Sequence, residues 1–363
     1  MKINFIDLQA QYKKYEKEIN SEVLEVFASA QFIGGEKLNS LEKNLAVYTG
    51  AKHAIGCSSG TDALLLALMA LDIGVGDEVI TTPFTFIATA EVVALLGAKS
   101  VFVDIDEESY NIDPSKIEAA ITKKTKAIIP VSLYGQCADM EAINNIAKKY
   151  NITVIEDACQ SFGATYRGKK SCNLSTISCT SFFPSKPLGA YGDGGAIFTD
   201  NDELATKMRM LLNHGQNERY KHKYIGINGR LDAVQAAILN VKLKHFEEEV
   251  RLRDEIGSRY SDLLEDADVI TPKIAEASTS VYAQYSIRVK DREAMVEKLS
   301  KLGVPTAVHY PVPLHMQEAF KDLGYSTGDF PISELVSKEI MSLPMSAYLS
   351  EAEQDFVVQA IKG

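Results

Sequence analysis

Apolar positions in residues 6–29 and 36–49 recur at helical spacing, with the FIGG stretch Phe32–Gly35 turning the chain between them. After this helical lead-in the period alternates. HAIGC, DEVITT, SVFVDI, KAIIPVS and ITVIED read as short strands, and helices are predicted between them from Gly60, Ala88, Asp113 and Met140. Repeated βα units predict a mostly parallel sheet with helices on both faces. A further strand is expected over Thr176–Phe183, another in GGAIFTD, and a helix from Asp202 to about Asn213. Residues 214–230 are polar, basic and glycine-marked, the pattern of a loop that reaches outward. From Leu231 to about Leu264 the spacing is that of one long helix, apolar at Val234, Ala237, Ile238 and Val241 and placed to bridge two domains. The remainder holds a strand (VYAQYSIRV), a helix from Arg292, an extended piece (PTAVHYPVP) and two short helices. The pattern divides the chain into an N-terminal helical and large α/β domain over 1–246 and a small α+β domain over 247–363.

Regular structure is interrupted most sharply at SFFPSKPLGAYGDGG, Ser181 to Gly195, where prolines and glycines forbid helix and strand and permit turns with positive φ. One lysine, Lys186, sits in the middle, bracketed by Pro184 and Pro187. A loop lysine is most often a solvated charge. This one is conformationally restricted and follows Phe182 and Phe183, which offer an apolar wall, and such a setting favours the neutral, nucleophilic form of an amine. Lys186 is therefore a candidate Schiff-base lysine.

Upstream, the β-branched run NITVIE ends in Asp157, with Gln160 three residues on. Ligands of open α/β sheets gather at the carboxyl ends of strands, which places Asp157 at such a site. An amine and a carboxylate on neighbouring strand ends are the pair that pyridoxal phosphate (PLP) requires, one for the imine and one to keep the ring nitrogen protonated. As a lone residue Asp157 would read as a helix N-cap. In CSSGTDAL, Gly60 and Thr61 stand where a strand passes into a helix, a backbone anion site or simply a capped helix start. Ser181 is a hydroxyl donor for the same phosphate. Phe86, in the PFTF segment after DEVITT, is a candidate to stack on a flat ring, with core packing as the alternative. Arg230, His309 and Tyr310 are polar groups at loop or strand ends whose alternative reading is surface decoration.

Composition narrows the class. The chain has 363 residues, 46% of them hydrophobic, enough for a packed core in two domains. No apolar run is long enough to span a bilayer and the N-terminus reads without a signal peptide, so a cytoplasmic protein is expected. A formal charge of −11 argues against nucleic-acid binding. The five cysteines, scattered and odd in number, indicate neither a disulfide framework nor a zinc site, and they are expected to be buried apolar residues; no metal is expected. GATYRGKK, Gly163 to Lys170, imitates a phosphate loop, but Lys170 occupies the position of the magnesium-binding hydroxyl, and a hairpin turn at Arg167 to Lys169 is the better reading. The glycines after Lys186 lack the spacing of a dinucleotide fingerprint.

The ordered set CSSGTDAL, PFTF, IEDACQS, TSFFPSKPLGAYGDGG and GINGRLDAVQAA resembles the sugar-nucleotide aminotransferases of the DegT/DnrJ/EryC1/StrS family over nearly the whole chain. The resemblance implies an aspartate-aminotransferase-like PLP fold (fold type I) with pyridoxal 5'-phosphate as cofactor. It implies that Lys186 holds the cofactor and shuttles the proton, that Asp157 pairs with the ring nitrogen and Gln160 with the ring hydroxyl, and that Phe86 covers the ring. Gly60, Thr61 and Ser181 would hold the phosphate, joined by Asn228 from a second subunit; Arg230, His309 and Tyr310 would face the sugar nucleotide, also from the partner. A homodimer with shared active sites follows. Ser59 stands where many relatives have Asn, a small departure, and relatives that dehydrate carry histidine at the position of Lys186, so lysine favours transamination. SLYGQCAD, SCNLST, FFPSKPLG and AVHYPVPL resemble family members that move an amino group from L-glutamate, leaving 2-oxoglutarate, to the 3-oxo carbon of a UDP-linked 2-acetamido-2-deoxy-hexuronate for surface polysaccharide such as O-antigen. The alternatives are another nucleotide-linked 3- or 4-keto sugar, or a PLP-binding regulator without turnover.

Overall fold

The computed structural model of the chain describes residues 3–363. Two helices lead in, α1 (Leu8–Ser29) and α2 (Glu36–Thr49). Strands and helices then alternate: β1 (His53–Cys57), α3 (Gly60–Ala70), β2 (Glu78–Thr81), α4 (Ala88–Leu95), β3 (Lys99–Phe102), α5 (Pro114–Ala120), β4 (Thr125–Ile128), α6 (Met140–Tyr150) and β5 (Thr153–Asp157). After the small strands β6 (Thr165–Tyr166) and β7 (Lys169–Lys170), β8 (Ile177–Ser181) and β9 (Gly195–Thr199) flank the lysine loop. There follow α7 (Asp202–Leu211), β10 (Gln216–Glu218), β11 (Lys221–His222), α8 (Ala233–Lys244), α9 (Phe246–Leu263), β12 (Tyr285–Arg288), α10 (Arg292–Lys301), α11 (Pro331–Glu339), β13 (Ile340–Leu343) and α12 (Glu351–Lys362).

The central sheet has seven strands in the order β1-β9-β8-β5-β4-β2-β3. Its neighbours from β8 to β3 are parallel, and β9 runs against both β8 and β1. The reversal of β9 goes with its direct connection to β8, because the chain turns back on itself in the lysine loop and a hairpin connection pairs its strands antiparallel. Strands covered on both faces need apolar residues on both, and β9 is buried at every position. Helix α3 is apolar nearly all round because it too is enclosed: Leu64, Leu66, Ala67 and Leu68 pack among Ile155, Ile197, Val92 and Leu211 in one core. Each such leucine removed from water contributes roughly 1.5–3 kcal/mol. Its start is fixed by Ser59, whose Oγ accepts from Asp62 N at 3.0 Å.

A second core surrounds the antiparallel pair β12–β13, where Tyr260 of α9, Tyr285, Ile287, Leu299 and Val357 are buried together. Ile3 packs into it, and Met345 N donates to Phe5 O at 3.0 Å, so the chain's beginning is tied to its end.

Three expectations are corrected and one strand is added. The long helix over 231–264 is two, broken at His245, whose ring stacks on Tyr15 at 4.4 Å between centroids; no glycine or proline marks the break. The loop over 214–230 contains the hairpin β10–β11. PTAVHYPVP, expected as an extended piece, carries a single bridge at Ala307, and the strand that pairs with β12 is β13, which the pattern did not mark and which follows α11 without a breaker between them. The glycines after Lys186 are absent from the left-handed region; they are needed for close approach, as shown below. The hairpin expected at Arg167 to Lys169 is present, with φ of +50° at Arg167 and +76° at Gly168.

Glu156, next to Asp157 on β5, points to the opposite face of the sheet. There it accepts from Ser171 Oγ at 2.9 Å, Ser178 Oγ at 3.0 Å and Cys172 N at 3.1 Å. Burial nonetheless pushes its carboxyl from 4.5 up to about 7. A carboxyl that holds its proton more tightly when folded loses stabilising effect as pH rises through that interval. Glu156→Gln should therefore gain stability relative to the parent between about pH 5 and about pH 8, read from urea midpoints at the two values. Parallel midpoints would show that Glu156 does not titrate there.

Candidate active site

The carboxyl ends of β1, β2, β5 and β8 open on one side of the sheet and enclose a cavity of 460 Å³. Gly60 and Thr61 reach it from the start of α3, Phe86 from the segment after β2, Asp157 and Gln160 from the end of β5, and Ser181 and Lys186 from the end of β8 and the loop that follows. His309 and Tyr310 complete its wall.

The lysine loop is held by its own backbone. Phe182 N donates to Gly194 O at 2.7 Å and Ala190 N to Phe182 O at 2.7 Å, closing its base, and Lys186 N donates to Phe183 O at 2.8 Å. A Cβ on Gly189 would lie 2.4 Å from Pro184 O, and one on Gly195 would lie 2.5 Å from the carbonyl of Ser59 and 2.8 Å from Gly60 N. These are backbone atoms, which cannot swing aside. The two phenylalanines before the lysine differ: Phe182 is core, whereas Phe183 is 51% exposed at the cavity rim.

Asp157 is buried and aimed by Thr89 Oγ1, which donates to its Oδ2 at 2.8 Å, and by Cys159 N, which donates to Oδ1 at 3.2 Å. Thr85 Oγ1 lies 3.1 Å from Thr89 Oγ1; because Thr89 gives its proton to Asp157, Thr85 is the donor of that pair. Gln160 accepts from Tyr134 N at 2.9 Å and donates to Tyr310 Oη at 3.2 Å, which leaves one N–H of its amide for a ligand. Tyr134 Oη donates to the His309 carbonyl. Burial, and then the charge of Lys186, hold the His309 imidazolium below its ordinary range. Burial, and then the charge of Asp157, push the Tyr310 phenol up.

Sequence reasoning expected His309 and Tyr310 from a partner subunit; the chain supplies them to its own cavity, because the segment after α10 passes over the carboxyl ends of β4 and β5. Asn228 and Arg230 lie outside this cavity. Asn228 is exposed and bridges Asn213, and Arg230 Nη1 donates to Asn213 Oδ1 at 2.7 Å while its Nε is buried without a partner. Cys159, expected as a buried apolar residue, is partly exposed and lines the cavity. Thr89 and Gln284 were not anticipated; Thr89 stands on the helix start where DEVITT's strand has already ended, and only its spacing from PFTF points to it.

The donor set fits pyridoxal phosphate. At the start of α3, Asp62 N goes to Ser59 Oγ and Ala63 N to Ser59 O, which leaves the N–H groups of Gly60 and Thr61 for an anion. A Cβ on Gly60 would lie 2.7 Å from Ser181 Cβ and 2.8 Å from Cys159 Sγ, so the cradle exists only with glycine. Anion site, buried carboxylate and lysine share one cavity. The signature of the DegT/DnrJ/EryC1/StrS aminotransferase family matches residues 13–362.

The chain belongs to that family. It is 54% identical over 359 residues, 99% of each chain, to UDP-2-acetamido-2-deoxy-3-oxo-D-glucuronate aminotransferase of Pseudomonas aeruginosa. It is 49% identical over 99% of its length and 98% of the relative's to the pleiotropic regulatory protein of Geobacillus stearothermophilus. Among solved structures, ntda from Bacillus subtilis with bound cofactor PMP superimposes with a TM-score of 0.93 at 34% identity, over 99% of this chain and 84% of that one. The family member described here is a PLP-dependent aminotransferase of fold type I.

Thr89→Val keeps the shape of the side chain and removes the donor to Asp157; with one hydrogen bond to a charged group worth roughly 1.5–3 kcal/mol, kcat should fall about tenfold or more with the fold retained. Unchanged kcat would show that Asp157 is aimed without Thr89. Gly195→Ala should cost about 2–3 kcal/mol in thermal or denaturant unfolding and weaken cofactor retention, because the β1–α3 junction must move. Parent-like stability would contradict the close approach.

Proposed function

We propose that the protein transfers an amino group from L-glutamate to the 3-oxo carbon of a UDP-linked 2-acetamido-2-deoxy-hexuronate, with Lys186 as catalytic residue. The observation that carries the reading is the convergence of Lys186, Asp157, Gln160 and Gly60 on one cavity, and the acceptor rests on the 54% identity to the Pseudomonas aeruginosa enzyme. The amine-bearing sugar would serve surface-polysaccharide synthesis, O-antigen among them. Five cysteines, all free, are in keeping with a cytoplasmic location, and no helix among the described residues is long and apolar enough to cross a membrane.

In this reading Gly60, Thr61 and Ser181 hold the cofactor phosphate, Asp157 its ring nitrogen, Gln160 its ring hydroxyl, Phe86 its face and Lys186 its reactive carbon. When bound, pyridoxal phosphate supplies an electron sink that acidifies the carbon bearing the amine. Asp157, fixed by Thr89 and Cys159 N, would present its carboxylate to that ring nitrogen. Lys186 Nζ removes the proton from the donor carbon and delivers one to the acceptor carbon in the reverse half of the cycle. Tyr310 and His309 close the cavity above Lys186, exclude water and face the sugar, with His309 carried neutral.

Asn228 and Arg230 enter the reading through a homodimer in which they reach the partner's cavity, Asn228 to the phosphate and Arg230 to the anionic nucleotide sugar. An apolar surface beside them supports this: Phe27, Phe32, Ile33 and Ile225 are all exposed, and Ile33 bridges Asp232 two residues from Arg230. The 49% identity to a protein named as a regulator favours a second reading, cofactor binding without turnover; the intact Lys186 and Asp157 argue for catalysis.

An absorption spectrum of the purified protein before and after L-glutamate should show the lysine-bound cofactor converted to the amine form, and Lys186→Ala should lower turnover by about a thousandfold or more. A spectrum indifferent to glutamate would favour the regulator. A panel of 3-oxo and 4-oxo nucleotide sugars tests the acceptor, and turnover of a 4-oxo sugar alone would overturn it. Mixing Lys186→Ala subunits with Asn228→Ala subunits should restore about a quarter of parental activity, since one site in each mixed dimer is intact. No recovery would argue against shared sites.

A further inference from the structure

Lys242 on α8 is 2% exposed. Lysine is almost never so buried unless paired, because its ammonium gives up its hydration. Here the ammonium donates to the carbonyl of Gly189 and lies 5.0 Å from the centroid of the Tyr191 ring. Burial pulls it from 10.5 down to about 8; Glu249 of α9 attracts the charge and Arg253 of α9 repels it. A methionine in the same space would bury its side chain without this cost. What the lysine adds is a grip on one peptide of the active-site loop.

That peptide is well placed. Gly189 packs against the Pro184 carbonyl on the far side of Lys186, so the turn carrying Lys186 is pinched between Pro184 and Gly189. Helix α8 holds the outgoing arm a second time, through Gln235, which accepts from Tyr191 N at 2.9 Å and donates to Tyr191 O at 3.3 Å. Glu249 in turn is fixed by Gln11 Nε2 of α1 at 2.7 Å and by Tyr348 Oη at 2.6 Å. Glu249, so fixed, acts on the Lys242 charge through its field, with no hydrogen bond joining the two.

The geometry points to Lys242 as a positioning residue for Lys186: by holding the Gly189 carbonyl it sets the turn that presents Lys186 and ties that turn to α8. This rests on Lys186 being the cofactor lysine. Lys242 touches neither cofactor nor substrate.

The test compares the holoenzyme with Lys242→Met and Lys242→Gln, with Lys186→Ala as control. The readouts are the pH midpoint of the visible band of the lysine-bound cofactor, which needs no turnover, together with kcat, KM and the melting temperature. Lys242→Met should move the midpoint by about half a pH unit or more and lower kcat roughly tenfold, with KM for both substrates within about twofold. Lys242→Gln, which keeps a donor on a shorter arm, should fall between. Should the methionine variant fail to fold, the glutamine variant carries the test by the same two readouts. A folded variant with a lowered melting temperature but parental midpoint and kcat makes Lys242 merely structural and overturns the inference. A band that survives Lys186→Ala would instead overturn the assignment of Lys186 itself, so the two failures are separable.

Discussion

The site depends on a steric constraint: four strand ends meet at a point where no side chain fits. Gly60 Cα lies against Ser181 and Cys159, and Gly195 Cα against the Ser59–Gly60 peptide. A Cβ at either position would collide with atoms of the neighbouring strand ends. With glycine there, the N–H groups at the start of α3, the hydroxyl ending β8 and the carboxylate ending β5 come within one cavity. Their chemistry is ordinary; their proximity is what the fold provides, and it is bought with two missing side chains.

The second condition is enclosure. The sheet edge alone would leave the cavity open to water. His309 and Tyr310 come from the part of the chain that packs with the second core, and they are anchored to the first by Tyr134 and Gln160. The lysine loop is anchored by α8. Each wall of the cavity is therefore held by a polar contact between elements distant in sequence, where charge and hydrogen bonding matter more than bulk packing.

The alternation of strands and helices, the rigid lysine loop and the carboxylate at the end of β5 were legible because each is a local pattern: a period, a cluster of proline and glycine, a β-branched run with a polar end. The Arg167 hairpin was legible for the same reason. The break at His245 was not, since it comes from tertiary contact with α1 rather than from a breaker residue. Nor was the origin of His309 and Tyr310, because which cavity a distant segment covers depends on how two cores dock. Thr89 and Lys242 are a helical threonine and lysine like many others in sequence; only Asp157 Oδ2 beside the one and the Gly189 carbonyl beside the other distinguish them.

The reversed strand β9 has a consequence for how the protein assembles. Because β8 and β9 are adjacent and antiparallel, the turn bearing Lys186 is the tip of a hairpin, closed by contacts between residues near in sequence. Asp157 reaches the same cavity through the parallel pairing of β5 with β8, across a connection over 158–176 that holds only the short pair β6–β7. The amine is thus presented by a two-strand unit, whereas its carboxylate counterpart is presented only once β5 has paired with β8. A chain that has formed the hairpin alone carries a poised lysine with no ring-nitrogen partner, so competence for chemistry waits on a third strand.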